Sequence, residues 1–432
     1  MAKITTIPLT RFEKIFAAAG LLFFSDPVSL FNLIGDTFLA GRNSRTFLFP
    51  LIIYFSLVFM ALRWKRVLTV VKRSRFTMIP IVILLALPFL SVLWSIAPES
   101  TLKRATFFLG TTVFATYFST RFEPEKQVHL LAWGMFAGAI LSLIFGLLLP
   151  EYGVMGGKLL VMGGAEDVLD GTWRGIFIHK NPFGRAMALG SVAMFCVACD
   201  IRKSVWRWLA WGGLGLLFSL IIVSKSATSL CVAIVCLVLI PLCRALRWNL
   251  QAVSVLYIIA VIIFGSIATF GVSGFDTVLD ALGRDVTLTG RTELWEAVSH
   301  DIWNNPIFGH GYRGYWRGWN GPSAAIWAQF PWLPPHAHNG FLDLWLDLGL
   351  VGLTIFLVSF ALIYVRAVYW ARHTESMCGL FPVLFLTFFL LLNITESSIL
   401  RENVYWVFYM AIFSLTTLGT TTEFSETYLE TY

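Results

Sequence analysis

His338-Asn339-Gly340-Phe341-Leu342-Asp343-Leu344-Trp345-Leu346-Asp347-Leu348-Gly349-Leu350-Val351-Gly352 leads straight into an apolar stretch that ends near Ala367. A helix that crosses a bilayer needs about 20 such residues, and the 340–367 run supplies them. At its mouth a long polar segment re-enters the hydrophobic helix through an imidazole. Imidazole is the side chain that ordinarily titrates near neutral pH, so His338 suits the transfer of a proton from an incoming hydroxyl.

Working outward, similar runs lie near 15–34, 47–64, 78–96, 105–120, 128–149, 183–199, 205–224, 227–246, 252–272, 378–395 and 404–419. With 340–367 these predict an all-α polytopic membrane protein of about twelve transmembrane helices, one integral membrane domain over 1–432. Asp26-Pro27 interrupts the first run, which reads as a broken or interfacial helix. No small-residue cleavage site follows a short apolar stretch, so no signal peptide is expected.

Composition agrees. Of 432 residues, 57% are hydrophobic and 13% charged, against about a quarter charged in a soluble domain. The net charge of +7 does not point to nucleic acid, because the basic residues sit in short connections between apolar runs, where they set topology. The six cysteines lie in or beside apolar runs. Cys196-x-x-Cys199 lacks the further ligands a zinc site needs and reads as small apolar packing.

Lys3, Arg11 and Lys14, then Lys65, Arg66, Lys72, Arg73 and Arg75, then Arg202, Lys203 and Arg207, then Arg244 and Arg247, and then Arg366 and Arg372 all fall on one side of a twelve-span chain. By the positive-inside rule that side is the cytoplasm, and both termini are expected there. The count sends two long segments outward. One is 151–182. The other, 273–339, precedes the tenth span and is too long for a plain connector. Within it, 292–303 has Leu294, Trp295, Val298 and Ile302 on one helical face and reads as an amphipathic helix on the membrane.

Both outer segments carry basic residues against the topological trend, and anionic ligands explain that best. Arg174, His179 and Lys180 precede a helix start, where free N–H groups and the dipole favour anions. Arg185 follows in the same helix. Arg291 opens the loop helix, within reach of either a phosphate or Glu293 and Glu296. Lys225, in the tight turn Ser224-Lys225-Ser226, reads as a lysine reaching headgroups. Gly309-His310-Gly311-Tyr312-Arg313-Gly314 matches a dinucleotide fingerprint in letters alone, since no strand precedes it; a glycine turn presenting Arg313 fits better. His336-Ala337-His338 looks like half a metal site, but Asp343 and Asp347 lie deeper in the helix, so no metal is expected and the two acids read as orienting groups. Glu396 and Arg401 are expected to pair at the rim of the same cavity.

With these motifs in place, the chain resembles the O-antigen ligase and Wzy-type polysaccharide polymerase superfamily. The resemblance rests on His338-Asn339-x9-Gly349-x-x-Gly352, on Gly290-Arg291-x-x-Leu294-Trp295, and on Ser224-Lys225-Ser226. Trp173-Arg174-Gly175-Ile176-Phe177-x-His179-Lys180-Asn181 is similar to a segment of ExoQ-type exopolysaccharide polymerases. The likeness covers roughly 170–365 and elsewhere rests on helix count.

The resemblance implies a fold like the GT-C glycosyltransferases and a donor glycan carried on undecaprenyl pyrophosphate. It implies no cofactor and transfer to a second lipid-linked repeat in the periplasm of a bacterial inner-membrane protein. It implies that Arg174 and Arg291 hold the pyrophosphate, with Lys180 beside them, while His338 activates the acceptor; His179, Asn339, Arg313, Arg185 and Asp343 are read from their positions as further substrate contacts. Membrane lipids and a chain-length regulator are the expected partners. Two alternatives remain: ligation of finished glycan to lipid A core, and transport of lipid-linked sugars. Transporters place their polar residues near the midplane, whereas these sit at the outer edge.

Overall fold

The computed structural model describes residues 10–38, 44–62, 64, 68, 78–156, 171–202, 204–247, 250–266 and 291–418. The basic cluster at 65–75 (Lys65, Arg66, Lys72, Arg73 and Arg75), together with Lys3, Lys203 and all of 273–290, Gly290 included, lies outside the described residues.

The described chain is helical: α1 Arg11–Phe24, α2 Val28–Phe38, α3 Ser44–Ala61, α4 Met78–Leu90, α5 Pro98–Arg121, α6 Pro124–Leu148, α7 Lys180–Asp200, α8 Val205–Val223, α9 Ala227–Val238, α10 Ile240–Ala245, α11 Leu250–Ser266, α12 Arg291–Ile302, α13 Ala324–Gln329, α14 Gly340–His373, α15 Phe381–Thr395 and α16 Val404–Leu418. Six of these elements, with α9 and α10 taken as one, are long and apolar enough to cross a membrane, or seven if α1 and the first part of α2 form one bent span. Four shorter apolar helices, over Arg45–Ala61, Met78–Leu93, Val253–Ile262 and Val404–Leu415, fall on other runs read from the sequence.

The break after α1 has a local cause. Pro27 disfavours the helical region for the residue before it, and Asp26 takes a left-handed φ of 67°. The chain bends by 109° there.

α7 and α15 are the most enclosed of the long apolar helices. α7 packs against α6, α8 and α9, and Gly184 lets it approach the Ser224-Lys225-Ser226 turn. A Cβ on Gly184 would lie 2.8–2.9 Å from Ser224, Ser226 and Ser229 side-chain atoms. α8 instead turns Trp206 and Trp208 outward, as interfacial aromatics do.

The 340–367 run differs from its reading as one straight span. Gly349, at φ 67° and ψ −170°, breaks α14 into a short segment, 340–348, and the long helix beyond. That backbone region is essentially confined to glycine. A Cβ there would stand 2.0 Å from the Ile307 carbonyl oxygen. The freed groups find partners in the preceding loop: Leu350 N donates to the Pro306 carbonyl at 2.8 Å, and His310 N to the Leu346 carbonyl at 2.8 Å. The Gly309-His310-Gly311 turn therefore docks on the helix break. The spacing of His338 from Gly349 is the length of the short segment that carries the histidine turn.

Candidate functional site

Glu396 follows the last residue of α15 and is buried. Four side chains from three distant segments meet its carboxylate. Asn181 Nδ2 donates to Oε1 at 3.1 Å and Arg185 Nη1 to Oε2 at 3.2 Å. Arg291 Nη2 lies 3.5 Å from Oε1, and His338 Nδ1 lies 3.8 Å from Oε2.

Each partner is placed by local structure. His179 caps α7, its Nδ1 accepting the Asn181 N–H at 3.3 Å. Asn181 and Arg185 are then one turn apart on the same helical face. Arg291 is the first residue of α12, whose Leu294, Val298 and Ile302 are buried with Tyr315 and Leu346 in a satellite core. Its Nη1 also donates to the Thr395 carbonyl at 2.7 Å.

His338 sits at a left-handed φ of 50°, tolerated by histidine better than by most residues. Asp343 fixes the turn before it, accepting from Ala337 N at 3.0 Å and Trp316 Nε1 at 2.7 Å. Asn339 caps α14, accepting from Phe341 N and Leu342 N.

Burial opposes the charge on Glu396, but Arg185, His338 and Arg291 outweigh it and hold the carboxyl well below its usual range. One carboxylate faces two guanidinium groups, so the corner keeps cationic character even with a neutral imidazole.

Beside this corner lies a cleft of about 550 Å³. Arg45 comes to it from the first connection of the twelve-span reading, Lys103 and Arg104 from the third, Pro182 from the fifth, Arg313 and His336 from the ninth, and Arg401 and Glu402 from the eleventh, with Asp26 at the break in the first run and Arg185 near the start of α7. All five connections are odd-numbered, so they belong to one end of the bundle in that reading.

The remaining sequence-predicted residues are placed differently from one another. Arg313 pairs with Glu402 at 2.5 Å. Lys180 is the first residue of α7. Arg174 is fully buried, and donates from Nε to the Tyr152 carbonyl at 2.9 Å and from Nη2 to that of Glu151 at 3.3 Å. It thereby clamps the helical turn Pro150–Gly153.

The expected Glu396–Arg401 pair does not form. Arg401 turns to Asp343 at 3.4 Å and Asp347 at 3.7 Å, while Glu396 takes Arg185 and Arg291. Four residues of loop separate the two, and each meets an opposite charge from another part of the chain.

His336, His338 and Glu396 each offer a ligand atom within 4.8 Å of the others. The surroundings oppose a divalent ion, because Glu396 already balances two arginines and His336 Nδ1 accepts the His338 N–H at 3.1 Å.

Sequence reasoning gave Glu396 a rim position and missed it as the hub. It passed over Lys103 and Arg104 altogether, although their place against the positive-inside trend was a usable signal.

The sequence model of a family described as O-antigen ligase (Wzy_C) matches residues 212–357, which include Arg291, His338 and Gly349. The chain is also 31% identical over 272 residues to the exopolysaccharide production protein ExoQ of Rhizobium meliloti (strain 1021). Over these stretches the chain resembles the O-antigen ligase and Wzy type. The alignment with ExoQ takes in 61% of this chain and spans 59% of the length of that relative. Arg185 and Glu396 lie outside the segment the O-antigen ligase family matches.

Proposed function

We propose that this chain is a glycosyltransferase that polymerises undecaprenyl-pyrophosphate-linked oligosaccharide repeat units into exopolysaccharide or O-antigen at the periplasmic face of a bacterial inner membrane. The observation that carries the reading is the convergence of His338, Arg291 and Arg185 on Glu396 beside a cleft built from the odd-numbered connections. The positive-inside distribution turns those connections outward, with both termini in the cytoplasm.

The residue chemistry suits this reaction. Pyrophosphate is a competent leaving group and needs its growing charge neutralised as the sugar–phosphate bond breaks. Arginine does this with fixed donors at any pH, and losing one such donor costs about a hundredfold or more in rate. In the proposal Arg291 and Arg185 exchange Glu396 for the donor's diphosphate. His338 takes the acceptor hydroxyl's proton as that oxygen bonds to the anomeric carbon and the diphosphate departs from the other face, inverting the centre.

The 3.8 Å between His338 Nδ1 and Glu396 exceeds hydrogen-bond length. Catalytic hydrogen bonds commonly tighten when substrate binds, and Glu396 would then orient the imidazole. Arg174, committed to backbone carbonyls, enters as the residue that fixes the turn before α7. The charge balance needs no metal.

The name of the matching family supports a second reading, ligation of finished glycan to lipid A core. The test is an acceptor choice. Purified protein in liposomes receives lipid-linked repeats with and without lipid A core, and products are resolved by size. Longer lipid-linked glycans without the core mean polymerase; transfer seen only when the core is added means ligase.

A further inference from the structure

The charges lining the cleft do not balance, and on one wall two cations have no acid of their own. Arg45 has Asp26 at 2.6 Å, Arg313 has Glu402 at 2.5 Å, Arg401 has Asp343 at 3.4 Å, and Arg185 has Glu396 at 3.2 Å. Lys103 and Arg104 also line the cleft. Among the described residues neither makes an ion pair or a side-chain hydrogen bond. The charged neighbours felt by Arg104 are chiefly other cations, Arg313 and Arg401, together with Glu402, whose carboxylate Arg313 already holds.

Their place on the helix sharpens the imbalance. Both lie in the second turn of α5, whose first residue is Pro98 and whose preceding Ala97 supplies no side-chain cap. The first turn of a helix carries partial positive charge and unsatisfied N–H groups, and side chains of the second turn lean back over it, so an anion held by Lys103 and Arg104 would also meet that turn. Glu99, the acid of the first turn, is exposed and lies outside the cleft lining. Ser100 adds a hydroxyl to the wall. A half-buried arginine, a more exposed lysine and a hydroxyl on one cleft wall near a helix start are the components of a phosphate site.

We propose that Lys103, Arg104 and Ser100 form a second diphosphate subsite, in the cleft that Arg185 also lines, which holds the lipid-linked acceptor while the Arg291–Arg185–His338 corner holds the donor. The inference rests on the polymerase reading for the acceptor's identity, since a growing reaction needs two diphosphate-bearing lipids side by side. A single diphosphate site would leave the attacking glycan untethered.

The test is binding stoichiometry on the full chain in nanodiscs, with farnesyl diphosphate as probe and with phosphatidylglycerol either present or absent. The wild type is expected to bind two equivalents. Lys103→Gln/Arg104→Gln should lose one, its affinity falling by about tenfold to hundredfold per cation, as expected for charge-assisted hydrogen bonds. Arg104→Lys, which keeps the charge, should retain two. In polymerisation assays the double variant should raise the KM for acceptor more than it lowers the rate at saturation.

Two equivalents bound by the double variant, or one by the wild type, would overturn the subsite. So would displacement of the second equivalent by phosphatidylglycerol, which would make it a headgroup contact. A chain that binds two diphosphates, loses one in the double variant and yet forms no polymer would support the subsite and contradict the polymerase reading.

Discussion

The carboxylate of Glu396 lies 3.8 Å from Nδ1 of His338, although 57 positions of chain separate the two. Arg185 and Arg291 bind that same carboxylate, so one acid joins the proposed base to the proposed diphosphate clamp. Breaking a buried ion pair from one side costs about 3–5 kcal/mol, because the surviving charge is left uncompensated. Glu396→Ala, which strands two arginines, should therefore lower the thermal midpoint in detergent substantially. Glu396→Gln keeps an acceptor for Asn181 and should lower it less. Both should lose polymer formation. Unchanged stability in Glu396→Ala would remove the carboxylate from the centre of the site.

Gly349 is a matter of backbone. A Cβ there meets the Ile307 carbonyl at 2.0 Å and must occupy φ 67°. Backbone strain of this kind costs about 1–3 kcal/mol before any clash is added. Gly349→Ala should destabilise the protein and disturb the 340–348 segment that carries His338, which thermal unfolding and activity would show together. Gly212, whose added Cβ meets nothing within 4 Å, is the control: Gly212→Ala should leave both unchanged.

Acid should loosen the end of the bundle that carries the cleft. Burial, with Lys180 next, pushes His179 down to about 4, and burial with His338 holds His336 well below its ordinary value. Both are neutral in the fold, whereas an unfolded imidazole takes up a proton near pH 6.5. Unfolding therefore binds protons between about pH 6.5 and 4. This contribution to stability is complete above pH 6.5 and is lost as pH falls through that window. His179→Asn keeps the cap of α7 and should flatten the decline in thermal midpoint. An equally steep decline would show that His179 does not set it.

Arg174 and Arg291 should separate. Arg174→Ala leaves the Tyr152 and Glu151 carbonyls without a buried donor, at about 1–3 kcal/mol for each unsatisfied group. Its first effect should be on thermal stability. Arg291→Ala should instead reduce the polymerisation rate by about a hundredfold or more. A full loss of rate in Arg174→Ala with an unshifted thermal midpoint would return Arg174 to the diphosphate.

The helices were legible because apolar length is a one-dimensional property: the runs at 128–149, 183–199 and 378–395 coincide with α6, α7 and α15. His338 was legible because an imidazole at the mouth of an apolar run is conspicuous. The break at Gly349 was not, since Leu348 and Leu350 are equally apolar and hydropathy passes over it. Nor was the partnership of Glu396, whose pairs with Arg185 and Asn181 cross 211 and 215 positions. Sequence proximity suggested Arg401 instead, and the fold gave Arg401 to Asp343 and Asp347. Charge pairing across a helical bundle is set by which ends meet, and the local pattern does not encode it.

The most direct measurement is made on purified protein in liposomes, supplied with the lipid-linked repeat units of its host and a chelator, without nucleotide sugar, and followed by sizing of the products. The account predicts a ladder of lengthening lipid-linked glycans from the wild type. From His338→Ala, folded and present at the same level, it predicts a rate lower by about a hundredfold to ten-thousandfold, the usual contribution of a positioned base. An equal ladder from His338→Ala, or dependence of the wild type on added metal, would contradict it.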